Sequence, residues 1–231
     1  YWVMKVQVLL PKIFDFTFTY ACDPKKNYKI GDIVEIPFGS KKEIGVIWND
    51  KYNTNKKFKI KNITNKIENY SLNKKLIKFI NWFSMYNMVP KGLALKMCIG
   101  SNKNYFKEKK ENTKKNVTKI KEYNLNDQQQ YALNYLKENN HGFSVTVLQG
   151  ITGSGKTLVY FERIKEIILN NKQALVLLPE IFLTNQFKNR FEDFFGFTPA
   201  VWHSKITPKN KRIIWQGILK NEIKLVIGAR S

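Results

Sequence analysis

Hydrophobic and polar positions follow two different periods along the chain, and they divide it. From Val3 to Leu10 apolar and polar residues alternate, then run apolar into Pro11. Phe14-Asp15-Phe16-Thr17-Phe18-Thr19-Tyr20 alternates aromatic with small polar residues, and Ile33–Phe38 and Ile44–Trp48 follow, separated by Gly39-Ser40-Lys41-Lys42. Short period-two runs at this spacing predict the strands of a small β-barrel or sandwich. Tyr52–Lys59 is polar and reads as a loop. From Leu72 the period changes: Leu72, Leu76, Phe79, Ile80 and Phe83 mark one face of an amphipathic helix. Pro90 and Gly92 introduce a short second helix, Leu93–Met97, expected to lay its apolar face on the barrel.

The stretch Lys103–Lys121 is rich in Lys, Glu and Asn, poor in apolar residues, and reads as a solvated linker. Beyond it strands and helices alternate. Asn126 caps a helix that runs through Ala132, Leu133, Tyr135 and Leu136, with Gln129 completing a capping box. Val145–Leu148 reads as a buried strand, Leu158–Leu169 as a helix and Lys172–Leu178 as a second strand. Pro179-Glu180 ends that strand and opens a helix carrying Leu183, Phe187, Phe191 and Phe194. Ala200–Trp202 is a third strand, Pro208 opens a helix with Ile213, Ile214 and Ile218, and Lys224–Gly228 is a fourth strand. This order predicts a parallel sheet with helices on both faces and a ligand site at its C-terminal edge. The expected fold is α/β: a barrel-like domain over residues 1–100, a charged linker over 101–124, and a nucleotide-binding lobe over 125–231.

One motif carries chemistry. Gly150-Ile151-Thr152-Gly153-Ser154-Gly155-Lys156-Thr157 satisfies the phosphate-loop pattern at every required position, between an expected strand and an expected helix. Its glycines let the backbone curl so that several N–H groups face one anion, and the helix N-terminus adds about half a positive charge. Lys156 is expected to reach the β- and γ-phosphates of ATP, and the Thr157 hydroxyl to bind Mg²⁺.

Charge adds less. The net charge is +22, and residues 1–125 hold 26 basic and 10 acidic residues against 14 and 8 in the remainder. A basic front half suits a polyanion such as nucleic acid, while the joint richness in Lys, Asn and Ile fits a compositional drift equally well. The front aromatics Phe16 and Phe18 can line a core or stack on bases. Asp15, between two aromatics, can be a solvated edge acid, a turn acceptor, or an acceptor for a sugar hydroxyl or base. Cys22 and Cys98 stand far apart with no C-x-x-C, so no zinc site is expected within the chain. No signal-like segment or membrane-length apolar run occurs, and the expectation is a cytoplasmic protein with no membrane partner. Tyr1 and Ser231 both read as cut ends.

Leu125-Asn126-x-x-Gln129, the phosphate loop, and Ala174-Leu175-Val176-Leu177-Leu178-Pro179-Glu180-Ile181-x-Leu183-Thr184-x-Gln186 resemble the PriA family of primosomal replication-restart helicases. Trp202-His203-Ser204 and Val226-Ile227-Gly228-x-Arg230-Ser231 resemble the family's next two blocks. Leu10-Pro11-x-x-Phe14-Asp15-Phe16 and Val34-x-Ile36-Pro37-Phe38-Gly39 look like its domain for binding a DNA 3′ end. The resemblance implies a pocket for a terminal nucleotide with a free 3′-hydroxyl, lined by Phe14, Asp15, Gly39 and Lys61. It implies that Gln129 reads adenine, and that Pro179, Glu180, Thr184, Gln186 and Arg230 couple the sheet edge to DNA. Forked and single-stranded DNA, the primosome and single-strand-binding proteins are the implied partners, and ATP-driven 3′→5′ unwinding at stalled forks is the implied activity. Residues 101–124 are too short for the family's winged helix, and no Asp-Glu block for the metal occurs in the sequence. The second motor lobe, its arginine finger and the zinc insert are expected beyond Ser231. Without them the chain is expected to bind DNA and ATP but not to turn over. The alternative is a non-catalytic DNA-structure-binding module with an inert phosphate-loop lobe.

Overall fold

The computed structural model describes residues 4–49, 60–99, 106, 120–139, 142–179 and 185–229. The chain forms two compact units, Tyr1–Lys109 and Lys110–Ser231.

The first unit contains β1 (Met4–Leu9), β2 (Phe18–Cys22), β3 (Asp32–Phe38), β4 (Lys41–Asn49), β5 (Lys61–Asn62), β6 (Asn65–Ser71), α1 (Lys74–Tyr86) and α2 (Lys91–Ile99). The strands make one sheet in the order β5-β2-β1-β4-β3-β6. β5 and β6 occupy opposite ends of that order, yet only Ile63 and Thr64 separate them in the chain. Ile63 N–H donates to Ala21 C=O on the β2 side, and Thr64 N–H to Glu35 C=O on the β3 side. Two residues span only about 7 Å, so the sheet has to curl until its edges meet. This is a half-barrel, and the expected barrel-like architecture holds. Its concave face buries Val6, Val8, Leu10, Tyr20, Cys22, Val34, Ile36 and Ile47. Asp32, almost fully buried, accepts from the Lys29 N–H at 2.7 Å and pairs with Lys66 at 2.9 Å.

Two expectations for this unit need correction, and two of its strands, β5 and β6, were not expected. The alternating run from Phe14 does not extend as a strand: residues 14–17 are an irregular loop and β2 begins at Phe18. Phe14 instead turns its ring into an edge-on cluster with Phe18 and Phe38, at 5.0 and 5.6 Å between centroids. β5 and β6 carry no alternation that the sequence advertises, because edge strands expose most of their residues. The stretch read as a solvated linker is packed where it is described: Phe106 is buried against Tyr70, ring centroids 5.6 Å apart. The polar run expected as a loop at 52–59 lies outside the described residues.

The second unit contains α3 (Asp127–Glu138), α4 (Lys156–Leu169), β7 (Ala174–Leu178), α5 (Asn185–Phe195), β8 (Ala200–Trp202), α6 (Pro208–Leu219) and β9 (Leu225–Ala229). Its sheet is parallel, in the order β7-β9-β8. Phe161, Ile164 and Ile168 of α4 and Phe191, Phe194 and Phe195 of α5 form one core with Leu225 and Ile227. Ala174, Val176 and Leu178 of β7 join it, while Leu175 and Leu177 alternate to the other face and are exposed. The mixed α/β class is as expected, and Thr207 caps α6 with Pro208 in its first turn.

One expected strand is absent. Val145–Leu148 joins no ladder, and Val145 and Val147 are 79 and 85 % exposed. A β-branched run becomes a strand only when a neighbour takes its backbone groups, and among the described residues none lies beside it. The carboxyl end of the supposed linker also packs: Lys121 N–H donates to Phe194 C=O at 2.9 Å, and Tyr123 stacks on Phe194.

Candidate functional site

In the first unit the region of interest is the loop from Leu10 to Thr17. Lys12 fastens its start through a 2.8 Å ion pair with Glu43 of β4, its ammonium lying 5.2 Å from the Phe38 ring. Thr17 fastens its end by donating to the buried Gln7 amide oxygen at 3.0 Å. Between these points Asp15 is exposed, and its Oδ1 accepts from the backbone N–H of Lys91 at 3.0 Å. An open pocket of about 770 Å³ lies beside it, lined by Asp15, Asn81, Trp82, Met85, Pro90 and Lys91 among others.

Of the four residues expected to line one pocket, this cavity includes Asp15 alone. Phe14 is half-buried in the aromatic cluster. Gly39 forms the two-residue β3–β4 turn with Ser40, at φ +60°, next to the Phe38 that Phe14 touches. Lys61 is exposed on β5 opposite Tyr20 of β2. Asp15 and the rim built by α1 and α2 therefore come together, and the two helices are a contribution that strand periodicity could not reveal. The Lys91 amide and Gly92 were missed. The only local signal was a glycine inside the first turn of a helix, where it is unfavourable by about 1 kcal/mol relative to alanine.

In the second unit the loop ahead of α4 has the backbone the motif demands. Gly153 and Gly155 take φ of +85° and +78°, the left-handed region that glycine enters without strain. Gly155 is the N-cap of α4, and a Cβ there would fall 2.2 Å from Gln129 Nε2. Gln129 is held by both ends of its amide. Oε1 accepts from Asn126 N–H at 3.1 Å in a complete capping box, and Nε2 donates to Ser154 C=O at 3.2 Å. α3 thus carries a side chain directly onto the loop. Lys156 Nζ donates to the carbonyls of Gly150 and Ile151, the latter at 2.7 Å, and lies 3.5 Å from Ser154 Oγ. Thr157 follows it in the first turn, half-buried, and Ile151 and Thr152 are exposed on the loop.

This donor set suits a polyphosphate. The loop carries an ammonium whose present partners are neutral carbonyls, two glycines in left-handed conformation and a helix N-terminus with no acid in its first turn. Of the residues expected to contact DNA, Pro179 follows β7 and Gln186 belongs to α5. Glu180, Thr184 and Arg230 lie outside the described residues. Among the described residues no cluster of His, Cys, Asp or Glu could hold a metal ion, and no helix is long and apolar enough to cross a membrane. Burial raises the thiol pKa values of Cys98 and Cys22, with Asp23 adding to the effect at Cys22.

The comparisons with known proteins meet this geometry at both units. Residues 5–100 match the family described as 3'DNA-binding domain (3'BD), and residues 122–230 match that described as type III restriction enzyme, res subunit. A Replication restart protein PriA of Rickettsia conorii is 37% identical over 230 residues, covering 97% of this chain and 34% of that protein. Those of Bacillus subtilis and Haemophilus influenzae are 41 and 42% identical over 109 and 107 residues, each covering 46% of this chain and 14% of the relative. The fold and the matches define the class first: a 3'BD-type domain followed by a lobe of the helicase type. Within that class the chain belongs to the PriA family of replication restart proteins. It spans about a third of the length of the Rickettsia relatives it matches.

Proposed function

We propose that the first unit captures the 3′-terminal nucleotide of a DNA strand at Asp15, and that the second binds ATP–Mg²⁺ at residues 150–157. The observation that carries the first part is the exposed Asp15 carboxylate, held at one oxygen by a backbone amide beside an open cavity. A terminal hydroxyl donates to the other oxygen, Phe14 and its cluster back the loop, and Gly39 and Lys61 serve the neighbouring nucleotide. Lysines supply a salt-sensitive attraction for the phosphates of forked and single-stranded DNA.

In the second unit Lys156 exchanges its carbonyl partners for phosphate oxygens, the loop amides and α4 N-terminus hold the remaining charge, and Thr157 offers its hydroxyl to the metal. The bound magnesium supplies charge neutralisation on the phosphates. Gln129, already tied to the loop, reads the adenine edge, since an amide donates and accepts at once. The whole protein on this reading is an ATP-dependent 3′→5′ helicase that works at stalled forks, engages single-strand-binding protein and reloads the primosome in the cytoplasm. Pro179, Glu180, Thr184, Gln186 and Arg230 couple its motor to the strand. This length of chain binds and does not turn over, because its sequence holds no Asp-Glu block to hold the metal opposite Thr157.

The test uses two forks that differ only in a 3′-hydroxyl or a 3′-phosphate at the junction. A hydrogen bond to a carboxylate contributes about 1.5–3 kcal/mol, so Asp15→Ala should weaken binding to the hydroxyl fork by about 10- to 100-fold at ~1.4 kcal/mol per tenfold, and slightly tighten the phosphate fork by removing a negative neighbour. Fluorescence anisotropy reads both. Equal or tighter binding of the variant to the hydroxyl fork would leave Asp15 with a purely structural role.

A further inference from the structure

The loop that presents Asp15 is held by a helix 76 residues further along the chain. Resting on the reading of Asp15 as the acceptor for a terminal hydroxyl, we propose that the first turn of α2, through the Lys91 amide and Gly92, is the positioning device that makes the site prefer a hydroxyl end over a phosphate end.

Two observations carry this. The first is electrostatic. The leading amides of a helix have no partner within it, and its N-terminus attracts negative charge. α2 has no acid in its own first turn, and the sequence contains no Asp or Glu between Glu68 and Glu108. Asp15 fills that role from a distant loop, its Oδ1 fixed 3.0 Å from the Lys91 nitrogen.

The second observation is steric. Gly92 N–H donates to Phe14 C=O at 2.9 Å. A Cβ at Gly92 would fall 2.1 Å from Lys12 O, 2.4 Å from Leu10 O and 2.8 Å from Phe14 O. Three backbone carbonyls of the Asp15 loop thus converge on the one residue without a side chain, and a backbone cannot swing aside as a side chain does. The helix turn and the loop are keyed together at consecutive residues, one contact per residue: Lys91 to Asp15, Gly92 to Phe14.

Specificity follows from the geometry. With Oδ1 engaged by the amide, Oδ2 has no partner among the described residues. It is a single acceptor at fixed orientation, beside the cavity that Lys91 and Pro90 also line. A hydroxyl hydrogen meets it. A phosphate brings only acceptors and negative charge, and is repelled. If the carboxylate could rotate freely, it could turn away from a phosphate into solvent, and the discrimination would fade.

The experiment compares Lys91→Pro with Lys91→Ala in the full 231-residue chain. Both lose the ammonium, but only proline loses the N–H, and proline is tolerated in the first turn of a helix. Gly92→Ala is the second variant. Affinities for the 3′-hydroxyl and 3′-phosphate forks are measured by anisotropy, below the melting temperature of each protein. Lys91→Ala should weaken both forks alike and keep their ratio. Lys91→Pro and Gly92→Ala should reduce the ratio at least fivefold, by weakening the hydroxyl fork and by easing the repulsion of the phosphate fork. A folded Lys91→Pro with the same ratio as Lys91→Ala, or one that weakens both forks equally, overturns the proposal and leaves the contact a structural cap. A ratio near one in the unsubstituted chain overturns the reading of Asp15 itself and the proposal with it.

Discussion

Replacing Lys156 with alanine tests the nucleotide site quantitatively, because the ammonium already has partners. It donates to the carbonyls of Gly150 and Ile151 and lies near Ser154 Oγ, so phosphate binding exchanges contacts and does not simply add them. A hydrogen bond between two charged groups lies towards the top of the about 1.5–3 kcal/mol range for charged partners, and one from the ammonium to an exposed neutral carbonyl at or below its bottom. The difference credited to the phosphate is roughly 1–2 kcal/mol, or about 5- to 30-fold in affinity at ~1.4 kcal/mol per tenfold. Lys156→Ala should therefore weaken ATP–Mg²⁺ binding by that factor without abolishing it. The lobe's urea midpoint should barely move, since the Gly150 and Ile151 carbonyls are exposed and water replaces the ammonium. Isothermal titration calorimetry at fixed salt measures the affinity. An unchanged affinity would remove the phosphate loop from the site. A loss well beyond a hundredfold would refute the exchange argument, because it would mean that the loop contacts seen here have no competing value.

Further predictions concern stability and pH. Asp32→Ala should destabilise the first unit by about 1–3 kcal/mol, since the buried carboxylate accepts from the Lys29 N–H and pairs with Lys66 at 2.9 Å while the half-buried Lys66 keeps its bond to the Asn27 carbonyl; urea unfolding followed by tryptophan fluorescence reads the change. The same unit should lose stability as pH rises past 9 to 10. Burial raises the folded-state pKa of Tyr20, Cys22 and Cys98 above their ordinary values of 10.0, 9.0 and 9.0, so the unfolded chain gives up these protons first and is favoured from those values upward. A midpoint that stays flat or rises between pH 8 and 10.5 would contradict the sign. For the same reason both thiols should react slowly with iodoacetamide at pH 7.5, and the buried Cys22 only after local opening.

The sequence determined what depends on local rules. The helix of α3 begins where Asn126 and Gln129 form their capping box, α6 where Thr207 precedes Pro208, and β1, β3 and β4 where period-two runs occur, because caps and alternation are satisfied within a few residues. The phosphate-loop residues were legible for the same reason, since the motif and its left-handed glycines are contiguous. Tertiary structure decided the rest. Val145–Leu148 has a strand's composition and pairs with no strand among the described residues, because pairing depends on a neighbour that composition cannot supply. Phe14 alternates like a strand residue but is drawn into the cluster with Phe18 and Phe38, where edge-on ring contacts outweigh local preference. β5 and β6 are visible only once the sheet curls and its two ends meet across Ile63 and Thr64. Asp15 could be singled out by its place between two aromatics, but not its partner: the Lys91 amide is a backbone group 76 residues away, and nothing in a side-chain pattern records where a backbone donor will point once the chain has folded.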